Sequence, residues 1–300
     1  MSKIKLTIAV ITALSLCFIG ISCSNSKSSQ EIIVGGDNTV LILDFEKSND
    51  SIKEINWQIT TSEIVNMPDT MIRHMKTIDD HKSVDNNSKI LICSSSGGTV
   101  LVDRTTKECL FYAITPNAHS AELLPNNRIA VALSVTKNGN SIELYDVDKS
   151  NVVLFKDSLY SGHGVTWIEK RQLLYALGYD VLRAYSLVDW ETETPSLKLE
   201  NEWKLPETGG HDLFASSDDQ LLLSTSYAVW KFNINNNEFT PFEPIANEPQ
   251  VKSVYYDEKT GHLVYTKGEI DWWTHNIYSL NPPKVIKVPE IDVYKIRFVK

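Results

Sequence analysis

From Glu31 to the C-terminus the chain repeats one pattern of apolar and polar positions. Short apolar runs recur as EIIVGGD from Glu31, KILICSS from Lys89, RIAVALS from Arg128, QLLYALG from Gln172, QLLLSTS from Gln220 and HLVYTKG from His262. Each is followed by a turn and an alternating segment: TVLILD (39–44), TVLVD (99–103), SIELYD (141–146), VLRAYS (181–186), AVWKFN (228–233) and NIYSL (276–280). Period-two alternation with many β-branched residues predicts strands. Polar turns such as TTKE, DKSN and NINNNE then lead to a fourth strand, for example CLFYA or VVLFK. No sustained helical period occurs in this region.

Five of the six copies are preceded by a segment that supplies the first strand of its unit: HKSV (81–84), AHSAELLP (118–125), GHGVTW (162–167), GHDLF (210–214) and VKSVYY (251–256). Aligned on Lys82, His119, His163, His211 and Lys252, they are spaced by roughly 37, 44, 48 and 41 residues, as in four-stranded propeller blades. The first unit lacks a leading strand, and VYKIRFV (293–299) at the C-terminus fits the vacancy, with Lys295 in the aligned position. Pairing the last strand into the first blade removes the exposed edges of an open array. The expected fold is all-β: a six-bladed β-propeller over residues 31–300, closed by the C-terminal strand completing blade 1.

First strands line the channel of a propeller. Lys82, His119, His163, His211, Lys252 and Lys295 are therefore expected at one level near its mouth, as a ligand-binding ring. Three ammonium groups ~10 Å apart repel by roughly 1.7 kcal/mol per pair at an effective dielectric of ~20. Lowered lysine pKa values, neighbouring carboxylates such as Asp80, Glu122 and Asp212, or a bound anion would each offset this. The loops joining second to third strands open on the same face, and the longest (267–275) carries Trp272 and Trp273, an aromatic platform suited to a sugar ring. The competing reading is scaffolding, because Gly162-His163 and Gly210-His211 resemble the Gly-His pair that plays a structural hydrogen-bonding role in WD-repeat propellers. Lysine at the other aligned positions lacks the donor-and-acceptor capacity of imidazole, which favours a ligand.

The formal charge of −9 argues against nucleic acid as the main partner. An acidic protein with a cationic axial funnel fits an anionic small molecule or an acidic glycan. The first 22 residues read as a signal peptide, with Lys3 and Lys5 ahead of the apolar stretch 6–21. Ser22-Cys23 resembles the lipobox of bacterial lipoproteins, although Gly20 stands where that family usually carries Leu, Val or Ile. The resemblance implies lipidation of Cys23, a polar tether over 23–30, and a membrane-anchored domain of the cell envelope, periplasmic or on the outer surface. Cys93 and Cys109 fall on the second and fourth strands of one unit, roughly 9.5 Å apart, too far for a disulfide. Two buried free thiols are expected.

With HSAELLPNNRIAVA, GHGVTWIEKRQLLYALGYDVLRAYSL and GGHDLFASSDDQLLLS in order, the chain resembles a family of secreted bacterial β-propeller lipoproteins of unassigned function, over residues 31–300. A more distant resemblance is to propeller-fold polysaccharide lyases, whose axial histidines hold a divalent metal against an acidic sugar. That resemblance implies His119, His163 and His211 as metal ligands and Lys82 or Lys252 as a base. The sequence thus supports a binding module for an acidic carbohydrate, with a metal-assisted lyase or hydrolase, and a protein-interaction scaffold, as alternatives. No GxSxG elbow, phosphate-binding loop or dinucleotide fingerprint is present, and no catalytic residue is assigned.

Overall fold

The second strand of each repeat is apolar on both faces, so each must be covered from both sides, and a ring of radially stacked sheets meets that demand. The computed structural model, which describes residues 30–299, shows six four-stranded antiparallel sheets. Ile32 and Val34 pack into a core shared with Tyr255 and Val264 of blade 6, whereas Ile33 between them packs with Ile90 and Ile92 of blade 2. Six such apolar clusters lie between successive blades. Burial of this apolar surface is the main force holding blade to blade.

Closure follows the expectation. Blade 1 runs Val293–Phe298, Glu31–Gly36, Thr39–Asp44, Ile55–Thr60, with Val34 opposite Ile296 and Gly36 opposite Val293. The other inner strands are Ile78–Val84, Ala118–Leu124, Gly164–Ile168, Asp212–Ser217 and Val251–Tyr256 for blades 2 to 6. They begin at the same end of the channel, here termed the upper mouth.

Three details depart from the pattern. The segment between blades 1 and 2 contains a helical turn, Asp69–Ile72, and Met67, Met71 and Met75 fill the core beneath it. The outer strand of blade 3 begins only at Phe155, leaving Val152 and Val153 exposed. Cys93 and Cys109 are free thiols on the second and fourth strands of blade 2, but Cys109 is only half-buried. The segment 1–22, Cys23 and the tether up to residue 29 lie outside the described residues.

Candidate functional site

Local irregularities of the inner strands build the upper mouth. The pairing of inner to second strand shifts between Ile78 and Asp80, between Ala118 and Ser120, and between Val251 and Ser253. The extra residues at these bulges are Asp79, His119 and Lys252. A bulge re-aims a side chain that regular pleating would send elsewhere. In blades 4 and 5 the corresponding residues, His163 and His211, stand just ahead of the strand, with their N–H groups bonded to Leu177 O and Ser224 O. In blade 1 the irregularity lies between Val293 and Ile296, and Tyr294 lines the cavity. The upper level is therefore Asp79, His119, His163, His211, Lys252 and Tyr294.

This corrects two of the six aligned positions. Lys82 lies three residues past Asp79, about 10 Å farther along the strand at ~3.3 Å per residue, and it lines a cavity at the lower mouth with Glu122 and Arg297. The shared tripeptide KSV misaligns blade 2 with blade 6, because the bulge of blade 2 falls at Asp79. Lys295 lies one residue beyond Tyr294 and is fully buried. Its Nζ donates to His119 O at 3.1 Å and His163 O at 2.8 Å. Reaching from blade 1 to blades 3 and 4, it closes the channel beneath the histidines.

Below that level the charges satisfy one another. Arg297 donates to both carboxylate oxygens of Asp212, at 2.6 and 3.1 Å, and lies 3.2 Å from Asp80 Oδ1. Lys295 Nζ is 3.3 Å from Asp212 Oδ1. Lys82 donates to Glu122 at 2.6 Å and to Val165 O at 2.7 Å. Burial alone would push the Asp80 carboxyl up, but the charges of Arg297, Lys295 and Lys82 hold it well below the usual carboxylate range. Three carboxylates thus supply the compensation that the sequence required for Lys82 and Lys295.

Lys252 has no such partner. Its buried Nζ donates to His211 Nε2 at 3.1 Å and Gln250 Oε1 at 2.9 Å, and sits 5.2 Å from the centre of the Trp272 ring. No carboxylate pairs with it among the described residues. Burial, with the charge of Lys295 adding to it, lowers its pKa to about 8.

The cavity above Lys295 measures about 430 Å³ and is walled by Asp79, the three histidines, Trp272 and Trp273, with Tyr294 beside them. Trp272 is 57% exposed, a platform at the rim. Burial pushes all three imidazoles below their ordinary pKa, His211 to about 3 with help from the charge of Lys252. The neutral tautomers follow from their partners. His119 and His163 direct Nδ1 at the carbonyls of Asn117 (3.1 Å) and Ser161 (2.8 Å), so these nitrogens carry the proton and each Nε2 keeps a lone pair. His211 Nε2 accepts from Lys252, which leaves its Nδ1–H without a hydrogen-bond partner. Burial also raises the Asp79 carboxyl, against the opposing influence of His119 and of the Ser95 N–H bonded to it.

These residues do not fit a divalent metal. Among the described residues no group of three His, Cys, Asp or Glu side chains stands in metal-binding geometry. His163 is central, its ring 4.3 Å from that of His119 and 5.6 Å from that of His211, but the Nε2 of His211 is taken by a lysine whose charge would repel a cation. The expected ligand trio therefore serves as hydrogen-bonding wall.

The model of one protein family matches residues 38–300. The chain belongs to the family of unknown function DUF6528. No curated protein matches it. The family carries no assigned chemistry, so function must be argued from the upper mouth itself.

The sequence places His119, His163, His211, Lys252, Trp272 and Trp273 at this mouth, as the structure does, whereas it gives no place there to Asp79 and Tyr294. A signal existed for Asp79: the bulge-level residues of blades 2 to 6 stand roughly 13 to 15 residues ahead of the end of their second strand, and Lys82 only 12.

Proposed function

We propose that this protein is a binding module that takes an acidic carbohydrate, through its carboxylate and one sugar face, in the upper mouth of the propeller. The observation that carries the reading is the isolated charge of Lys252, buried directly behind His211 and Trp272 in the cavity wall. A buried ammonium without a counterion is costly, and a ligand carboxylate would neutralise it. Trp272 offers an apolar face for the sugar ring. The lone pairs of His119 and His163 match sugar hydroxyl groups as donors.

An elimination reaction on the same ligand is the second reading, favoured by one observation: an amine with a pKa of about 8 is a competent base near neutral pH. Calorimetric titration with glucuronic acid and with glucose, alongside ultraviolet absorbance for unsaturated products from 4-linked uronate oligosaccharides, whose C4 sugar leaves as C5 loses its proton, separates these readings. Binding of glucuronic acid in preference to glucose, lost in Lys252→Met and weakening as pH rises through about 8, is the expected result. Failure to bind any uronate would sink both readings and leave a scaffold, while steady release of unsaturated product would make the site an enzyme.

The resemblance around Ser22-Cys23 supports a lipid-anchored location in the cell envelope. Incorporation of a palmitate analogue that is abolished by Cys23→Ala is expected, and wild-type protein that takes up none would reject the anchor.

A further inference from the structure

The axial cavity has a lateral neighbour. A second depression of about 290 Å³ lies on the upper face at blades 2 and 3. It shares Ser95, Asn117 and Val135 with the axial cavity, so the two adjoin along these residues. Its outer part is walled by His74, Ser96, Gly97 and Thr136. Gly97 has φ of +107°, and a Cβ there would approach His74 Nδ1 to 3.3 Å, so the bare backbone keeps this wall flat. The groove lining contains no Asp, Glu, Lys or Arg.

Beneath the axial cavity the path is shut, because Lys295 bridges the channel to the carbonyls of His119 and His163. A ligand cannot thread the axis. A closed pocket with a lateral extension suits the end of a chain, with the next unit leaving sideways.

Resting on the uronate reading above, we propose that the axial cavity holds the terminal uronate of an oligosaccharide and that the groove at blades 2 and 3 holds the adjoining neutral sugar. The division follows the chemistry of the walls. Lys252, buried behind His211 and Trp272 of the axial wall and without a carboxylate partner among the described residues, puts positive charge at the axial end, and the groove offers serine and threonine hydroxyls and the Asn117 amide, groups that match sugar hydroxyls. Tyr160, Tyr179 and Tyr227 form an exposed aromatic rim on the other side of the upper face, but none of them lines the cavity.

The test compares binding of glucuronic acid, of its β-1,3- and β-1,4-linked disaccharides with glucose, and of cellobiose to the full-length protein in detergent. At least one acidic disaccharide should bind about tenfold more tightly than glucuronic acid, the worth of one or two added net hydrogen bonds, and cellobiose should bind more weakly than either. Thr136→Trp, at an exposed loop position, should erase the gain and leave glucuronic acid binding intact. Equal binding of all the acids, or a gain that survives Thr136→Trp, overturns the groove assignment while the uronate reading stands. A gain abolished instead by Tyr227→Ala places the second sugar on the aromatic rim and also overturns it. If glucuronic acid itself does not bind, the uronate reading fails first.

Discussion

The two mouths of the channel draw on the same side chains and use them in opposite ways. At the lower mouth Lys82 meets Glu122, and just above it Arg297 and Lys295 meet Asp80 and Asp212, so each cation has a carboxylate. At the upper mouth Lys252 has only an amide oxygen, an imidazole nitrogen and an aromatic face. Paired charges hold blades together and ask nothing of solvent. Unpaired ones are retained at a cost, and a ligand that removes the cost is the simplest reason to keep them. The contrast is the reason for proposing the upper mouth rather than the lower as the site, although both ends carry lysine on an inner strand.

The largest effect should come from breaking the paired end. Asp212 accepts from Arg297 twice and from the Val254 N–H, and it faces Lys295. Asp212→Ala leaves two buried cations short of a partner and should cost ~3–5 kcal/mol, as for other broken buried pairs. Urea denaturation measures it. A loss under about 1 kcal/mol would mean that Asp80 alone compensates both cations, and the picture of a dedicated structural tier would fall.

Removing the unpaired lysine should act in the other direction. The Lys252 pKa falls to about 8 on folding from an ordinary 10.5, so folding disfavours the charged form. Below pH 8 both states are protonated and the penalty is complete; between pH 8 and 10.5 the folded state sheds its proton first and the penalty is relieved. Lys252→Met should therefore stabilise the protein near neutral pH by ~1–3 kcal/mol, even after losing two hydrogen bonds, and the gain should shrink in alkali. Thermal melts across that range test this. Destabilisation at neutral pH would place Lys252 with the structural charges and remove the contrast between the mouths.

The same contrast explains how much could be read in advance. Blade count, strand order and closure were legible because each depends on apolar periodicity, which the sequence displays directly; Ile32, Ile33 and Val34 announce a strand covered on both sides. The histidines and Lys252 were legible because the repeat places them ahead of their strands. Residue identity puts Lys82 and Lys295 at the level of the histidines, whereas the structure sets level by bulge position, and a bulge adds a residue without marking it. Asp79 escapes detection for the same reason: an identity-based register puts Lys82 in its place in blade 2. The pairing of Arg297 with Asp212 joins residues 85 positions apart in sequence, and no local pattern encodes it.

The smallest effect, and the one that best probes the paired end, is expected at Lys82. Its bond to Glu122 is partly open to solvent, so Lys82→Met should cost only about 1 kcal/mol at neutral pH. The cost should depend on pH in a definite sense. Burial raises the Glu122 carboxyl above its ordinary pKa, and Lys82 opposes that rise. A carboxyl raised in the folded state favours folding while it is protonated, and that contribution is lost as pH climbs through the folded pKa. Without Lys82 the folded pKa rises further and the window of loss extends upward. The substitution should therefore cost less in acid, where Glu122 is protonated, than in mild alkali, where it stays charged and has lost its ammonium partner. Denaturant melts of wild type and variant under the two conditions decide the matter. An equal cost at both would show that Glu122 is compensated by Arg297, so that the lower mouth holds its charges as one network rather than as separate pairs.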